Sequence, residues 1–243
     1  MIEIFENLPR QGPGDRESTA RALAMVAGLP EDPEILDIGC GVGRQTLDLA
    51  TLTSGRITAV DNHPPFLATL RRAAAAGGHA DRIRTVAADM AALDFPAASF
   101  DLIWSEGAAY IMGFAQALRA WRPLLRPRGS LVVSEIAWFR PDPPTELCEF
   151  FAAECPDMKH HADLPPLIAA AGYELTGSFD LPDAAWWTDY YEPLSGRIAA
   201  LRERGGYDDA AAGFLDALEL EIAMHRRYAA YYGYRFLVMR RGD

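Results

Sequence analysis

The sequence predicts an α/β protein built on a doubly wound, seven-stranded, mostly parallel sheet, and three observations carry that expectation. Short runs rich in β-branched residues alternate along the chain with helical patterns, the order that strand–crossover–strand units require. One junction, Glu34-Ile35-Leu36-Asp37-Ile38-Gly39-Cys40-Gly41-Val42-Gly43-Arg44, is a short apolar strand that passes through three alternating glycines into a helix. Acidic residues then recur at the ends of the following strands, where open α/β sheets bind their ligands.

The elements follow in order. Ile35–Ile38 is the first strand, and the helix after Gly43 carries Leu47 and Ala50 at helical spacing. Arg56–Val60 is a second strand ending at Asp61; Pro64-Pro65 then opens a helix, proline being tolerated in a first helical turn, and Gly77-Gly78 closes it. Ile83–Ala87 is a third strand ending at Asp89, and Phe100–Ser105 a fourth, apolar enough to be buried on both faces. A helix from about Gly113 to Leu125, a turn over Pro127–Gly129 and a strand Ser130–Glu135 come next. Leu164–Ala171 reads as a helix stopped by Gly172, Tyr173–Phe179 as a sixth strand and Arg235–Met239 as a seventh. Between the last two lie roughly fifty residues with an aromatic cluster, Trp186-Trp187 and Tyr190-Tyr191, followed by a helical stripe of Phe214, Leu215, Leu218 and Ile222. Such a segment is too apolar and periodic for a loop and is expected to be a helical insertion. The predicted organisation is an N-terminal helical cap over 1–33, a core over 34–180 and 234–243, and the insertion over 181–233.

The glycine turn brings backbone close to a ligand and aims the unpaired N–H groups of a helix start at it. A dinucleotide fingerprint needs Gly-x-Gly-x-x-Gly; here the third glycine arrives one residue early, at Gly43, and Arg44 stands where glycine is required. Asp37, two places before the first glycine, would repel a pyrophosphate and suits a ligand with positive charge. Asp61, about twenty residues past the glycines, can accept from both hydroxyls of a ribose. Asp89-Met90 offers an acceptor and a flat apolar side chain for a purine ring, and Ser105-Glu106-Gly107 ends the fourth strand beside the reversal of strand order. Each acid alone more often marks a helix cap or a solvated turn; their recurrence at successive strand ends favours a site.

From Ile35 to Glu135 the chain resembles the class I S-adenosylmethionine-dependent methyltransferases. It is similar more narrowly to a bacterial small-molecule methyltransferase-like group, through Arg10-Gln11-Gly12-Pro13-Gly14, Trp104-Ser105-Glu106-Gly107-Ala108 and Tyr231-Tyr232-Gly233-Tyr234. The resemblance implies a Rossmann-like fold with an antiparallel last strand, S-adenosyl-L-methionine as co-substrate, and methyl transfer to a small-molecule acceptor. It implies that Asp37, Gly39, Gly41 and Gly43 hold the methionine part, with Cys40 among them. Asp61 would take the ribose, Asn62, Asp89 and Met90 the adenine, and Ser105 with Glu106 would border the methyl. Gln11 and Gly12 lie in a turn that, with a helix from about Thr19 to Ala27, is expected to fold over the donor.

Methyl transfer needs alignment and exclusion of water, and a base only when the nucleophile arrives protonated. Glu106 is the first expected substrate-contacting or basic group, with donor binding or turn capping as its alternatives. Tyr110 and Trp138 can wall a cation, and Trp138 equally fits core packing. His161 is an acid–base candidate; His160-His161 lacks a metal-site spacing, and no metal is expected. The Trp186–Tyr191 cluster is either a substrate lid, a dimer interface or the core of the insertion.

The net charge of −11 argues against nucleic acid or an anionic membrane as partner. No apolar run approaches the ~20 residues of a membrane span, and the first residues lack a basic signal start, so a cytoplasmic protein is expected, with a homodimer as an open alternative to a monomer. Cys40, Cys148 and Cys155 fit a reducing compartment. Two other readings stay open: a donor-binding sensor that has lost transfer, and a nicotinamide-dependent oxidoreductase, which Arg44 disfavours.

Overall fold

The computed structural model describes residues 4–6 and 8–242. Its centre is a twisted sheet of β1 (Glu34–Ile38), β2 (Arg56–Asp61), β3 (Ile83–Ala87), β4 (Phe100–Glu106), β5 (Leu125–Trp138), the two-residue β6 (Lys159–His160), β7 (Tyr173–Asp180) and β8 (Tyr232–Arg241). The main order is β3-β2-β1-β4-β5-β8-β7, with β6 paired to the far end of β5. Strands β1 to β5 pair parallel, and β8 runs antiparallel to both of its neighbours. The fold expected from the sequence is therefore present, with one short strand added.

Alternate residues of each central strand enter different layers. Ile35, Ile57, Leu102, Trp104 and Val132 face Leu49 and Ala50 of α2 (Arg44–Leu52) and Leu67 and Leu70 of α3 (Pro64–Ala76). Leu36, Ile38, Ile103, Leu131 and Val133 face α4 (Phe114–Trp121) and α6 (Leu164–Ala170). This two-sided burial is why the strands read as continuous apolar runs. Order reverses between β1 and β4, so the carboxyl ends of these neighbours open a crevice there.

Several boundaries differ from the expectation. The first helix, α1, covers Arg16–Ala24 rather than starting at Thr19, because the Asp15 carboxylate caps it by accepting from the Ser18 amide at 2.6 Å. The turn expected at Pro127–Gly129 is a bulge within β5: Phe100 pairs with Leu125 and Leu102 with Ser130, and the residues between arch out with Arg128 at φ +63°. Strand β5 continues past Glu135 to Trp138, and β8 begins at Tyr232 rather than Arg235. A helix that the pattern did not reveal, α5 (Thr145–Glu154), lies before β6.

The segment between β7 and β8 forms α7 (Ala184–Trp186), a π-turn over Trp187–Tyr191, α8 (Glu192–Arg204) and α9 (Asp209–Tyr228). Leu215, Leu218 and Ile222 of α9 are buried in the same core as Trp186, Tyr191 and Leu194, continuous with Phe151 of α5. Arg227 and Tyr228 reach Glu146 of α5 at 2.9 and 2.5 Å, so the helices close over the carboxyl end of β5.

Candidate functional site

The glycine loop is tied down before it turns: the amides of Gly39 and Cys40 both donate to the Val60 carbonyl of β2 at 2.9 Å. Gly41 and Gly43 lie at φ +55° and +83°, a region costly for a residue with a Cβ. A Cβ on Gly41 would stand 2.6 Å from Oε1 of Gln11, and one on Gly43 would stand 2.3 Å from Cδ1 of Leu70. Gly41 thus admits the N-terminal segment, whereas Gly43 lets α2 pack against α3.

Over this loop lies a cleft of about 290 Å³, bordered by Gln11, Gly12, Gly39, Cys40, Gly41, Asp61, Asn62, Asp89, Met90, Glu106 and Tyr110, all expected from the sequence. Asp61 accepts from the Gly41 amide at 2.9 Å through Oδ2 and from the His63 amide at 2.8 Å through Oδ1, which fixes its carboxylate at the cleft edge. Asp89 accepts from the Ala91 amide at 2.9 Å and sits beside Met90. Sequence reasoning left out Arg10, Gln45, Phe66 and Ile111, which also border the cleft. Only Arg10 carried a signal, its place in the Arg10–Gly14 run.

Four expected residues do not border the cleft. Asp37 is fully buried beneath the loop, accepting from the Thr46 hydroxyl at 2.5 Å and the Gln45 amide nitrogen at 3.5 Å of α2. Burial, opposed by the Thr46 hydrogen bond, pushes its carboxyl up to about 7. Here it holds strand β1 to helix α2. Gly43 is withdrawn into the α2–α3 packing. Ser105 is buried and donates to the Ile38 carbonyl at 3.0 Å, joining β4 to β1. His161 lies in the turn after β6, its ring 6.0 Å from that of Phe139.

Glu106 borders the cleft, yet its carboxylate is committed. Oε2 accepts from Nη1 of Arg10 at 3.1 Å, and Oε1 accepts from the Thr19 hydroxyl at 2.8 Å and Trp104 Nε1 at 2.9 Å. Three partners leave little capacity to act as a base, so Glu106 anchors the segment that crosses the cleft. Arg10 also faces Asp48 of α2 at 3.4 Å, while its Nε is buried without a partner. Gln11 continues the strap: its Oε1 accepts from the Val42 amide and its Nε2 donates to the Phe5 carbonyl, both at 2.9 Å. The Gly14 amide donates to the Ala185 carbonyl at 3.1 Å, joining the strap to the helices before β8.

Behind the strap lies a second chamber of about 150 Å³. Gln11, Gly12, Pro13, Gly107 and Tyr110 border both spaces, so the two adjoin. The chamber is walled by Phe150, Phe151, Trp186, Tyr190, Tyr191, Tyr232 and Tyr234, with Glu154, Cys155 and Glu221. Of the two aromatic residues expected to wall a cation, Tyr110 is here, its phenol pushed up to about 12 by burial and so protonated. Trp138 is not: it packs edge-on against Phe151 at 5.2 Å and Tyr232 at 6.4 Å. The Trp186–Tyr191 cluster is both chamber wall and core, with Trp186 stacked on His225 at 4.0 Å. Burial holds that imidazole below its usual range and therefore neutral.

Among the described residues, no group of three or more His, Cys, Asp and Glu side chains is assembled that can hold a metal. None of the helices described is long and apolar enough to cross a membrane.

Residues 35–129 match the family described as "Methyltransferase domain". The chain is 28% identical over 184 residues to the uncharacterized methyltransferase YodH of Bacillus subtilis, covering 74% of this chain and 76% of that protein. Among solved structures, an S-adenosylmethionine-dependent methyltransferase from Geobacter sulfurreducens, in complex with S-adenosyl-L-homocysteine, superposes with TM-score 0.83 at 19% identity over 98% of this chain and 96% of that one. The [4+2]-cyclase SpnF superposes with TM-score 0.75 at 22% identity over 93% of this chain and 80% of that one. The two structural likenesses speak for the fold.

Proposed function

We propose a division of labour for this chain, which is a class I S-adenosylmethionine-dependent methyltransferase: the glycine-loop cleft binds the donor, and the aromatic chamber holds a small-molecule acceptor. The observation that carries the reading is the junction of the two spaces at Gly107, Tyr110 and the strap residues Gln11–Pro13. Two adjoining volumes, one for each reactant, suit an in-line transfer.

The cleft suits the donor on its own chemistry. Arg10 borders the cleft beside the start of α2, and a cation next to a helix N-terminus suits a carboxylate. Asp61 is the acceptor for a vicinal diol, and Asn62, Asp89, Met90 and Phe66 line the end that suits adenine. When bound, S-adenosyl-L-methionine supplies a methyl group activated by a sulfonium. The chain's own work is to hold the donor against the loop, keep water out with the strap and orient the acceptor. Glu106 acts through Arg10 and Thr19, as a positioning residue.

The chamber's size favours a small acceptor, and the negative net charge weighs against nucleic acid. Three free thiols support a reducing, cytoplasmic setting. One chain builds both spaces, so the chemistry asks for no second copy, and a homodimer would be an assembly matter, read by sedimentation.

A second reading, donor binding without transfer, stays open beside it, since the [4+2]-cyclase SpnF shares this fold. Calorimetry with S-adenosyl-L-homocysteine and NAD tests the donor assignment. The homocysteine compound should bind, and binding of NAD in its place would return the chain to the oxidoreductase reading.

A further inference from the structure

Resting on the two-space reading above, we infer that the acceptor is a small amine without a carboxylate or phosphate group, with Glu221 as its ionic partner and the acceptor of its proton. The chamber is the part of the molecule that carries this furthest, because its walls have one electrostatic sign. Its charged lining residues are Glu154 and Glu221, and among the described residues no Lys, Arg or His lines it. The rings of Trp186, Tyr190, Tyr232 and Tyr234 offer π-faces, which attract a cation most strongly where water is excluded.

Glu221 is anchored to the wall. Its Oε1 accepts from the Tyr191 hydroxyl at 3.0 Å, and among the described residues no side chain supplies a counter-charge. Burial, partly offset by the Tyr191 hydrogen bond, raises its carboxyl to about 7. An incoming ammonium provides the missing opposite charge. A neutral alcohol leaves the carboxylate uncompensated, and an anionic substrate adds a third negative group. The hydroxyls of Tyr110, Tyr190, Tyr232 and Tyr234 find no protein hydrogen-bond partner among the described residues, leaving acceptors for the remaining N–H bonds. A volume of about 150 Å³ is that of an apolar cavity able to hold benzene, so the amine has a comparable body.

The step balances without a further reagent. The Glu221 carboxylate takes one proton from R–NH3+, which frees the nitrogen lone pair. That pair forms the new N–C bond to the methyl carbon while the C–S electron pair returns to sulfur. The nitrogen becomes R–NH2–CH3+, the sulfonium becomes a neutral thioether, and the proton on Glu221 passes to solvent.

The test is calorimetry on the full chain saturated with S-adenosyl-L-homocysteine, titrated with benzylamine, cyclohexylamine, benzyl alcohol, cyclohexanol and benzoate. Each amine should bind at least tenfold more tightly than its alcohol, with benzoate weakest. Glu221→Gln should lose at least tenfold of the amine affinity while keeping that for benzyl alcohol and for S-adenosyl-L-homocysteine. Equal binding of amine and alcohol, preference for benzoate, absence of amine binding, or an unchanged amine affinity in the variant overturns the inference while the donor reading stands. Failure of S-adenosyl-L-homocysteine itself to bind overturns both. The amine-to-alcohol comparison uses the unmodified protein, so it decides even if the variant does not fold.

Discussion

Arg10 and Glu106, 96 residues apart in sequence, form a buried ion pair with Nη1 and Oε2 3.1 Å apart, and this contact fastens the N-terminal strap to the carboxyl end of β4. Both side chains are about 95% hidden from solvent, at 5% and 4% relative exposure. The pair therefore stands in low dielectric, where losing one partner leaves the other charge uncompensated.

Glu106→Gln should destabilise the protein by about 3 kcal/mol, at the low end for breaking a buried pair because Asp48 still faces Arg10. It should also weaken donor binding, since the strap borders the cleft. Urea unfolding and calorimetry with S-adenosyl-L-homocysteine read the two effects. A variant with normal stability and donor affinity but slow turnover would return Glu106 to the role of base.

Asp61→Ala should weaken S-adenosyl-L-homocysteine binding by roughly 1–3 kcal/mol, or about 5- to 150-fold, the cost of stranding groups that a carboxylate satisfies. Its thermal midpoint should fall too, because the Gly41 and His63 amides lose their acceptor. Unchanged affinity would remove Asp61 from the ribose role.

Gly43→Ala should cost about 2–4 kcal/mol, combining a positive-φ penalty with overpacking against Leu70. In a double-mutant cycle, Leu70→Ala should recover part of that loss, by roughly 1 kcal/mol or more of coupling. Strict additivity would contradict a packing role for Gly43.

Stability should fall as pH rises from about 4 to about 8. Burial raises Asp37 from 3.8 to about 7, Glu135 from 4.5 to about 8 and Glu221 from 4.5 to about 7. In that window the folded state holds protons that the unfolded state has released, so each added pH unit favours unfolding. The contribution is complete below the unfolded values and gone above the folded ones. Midpoints of urea unfolding between pH 5 and pH 8 read the slope, and Glu135→Gln should flatten it. Glu135 is the cleanest probe, with Oε2 buried and unpartnered.

The strand-end acids were legible because the carboxyl ends of parallel strands converge by topology, so Asp61 and Asp89 reach one cleft whatever the side-chain details. Asp37 was not, because β1 is buried on both faces and its polarity pattern does not tell a ligand-facing acid from one paired to Thr46 of α2. The aromatic chamber was invisible as a unit: Tyr110, Phe150, Trp186, Glu221 and Tyr232 meet only through tertiary packing. Helix α5 hid behind Pro141, Pro143 and Pro144 and buries only Leu147 and Phe151, too few for a stripe. The two-residue β6 falls below any periodicity.

The central claim is methyl transfer from the glycine-loop cleft to a small molecule in the aromatic chamber. The most direct measurement incubates the protein with S-adenosyl-L-methionine carrying a labelled methyl and a fractionated metabolite pool, then follows the label. The account predicts label in a low-molecular-weight product, with stoichiometric S-adenosyl-L-homocysteine. Binding of the donor with no labelled small molecule in any fraction, or label confined to nucleic acid, would contradict it.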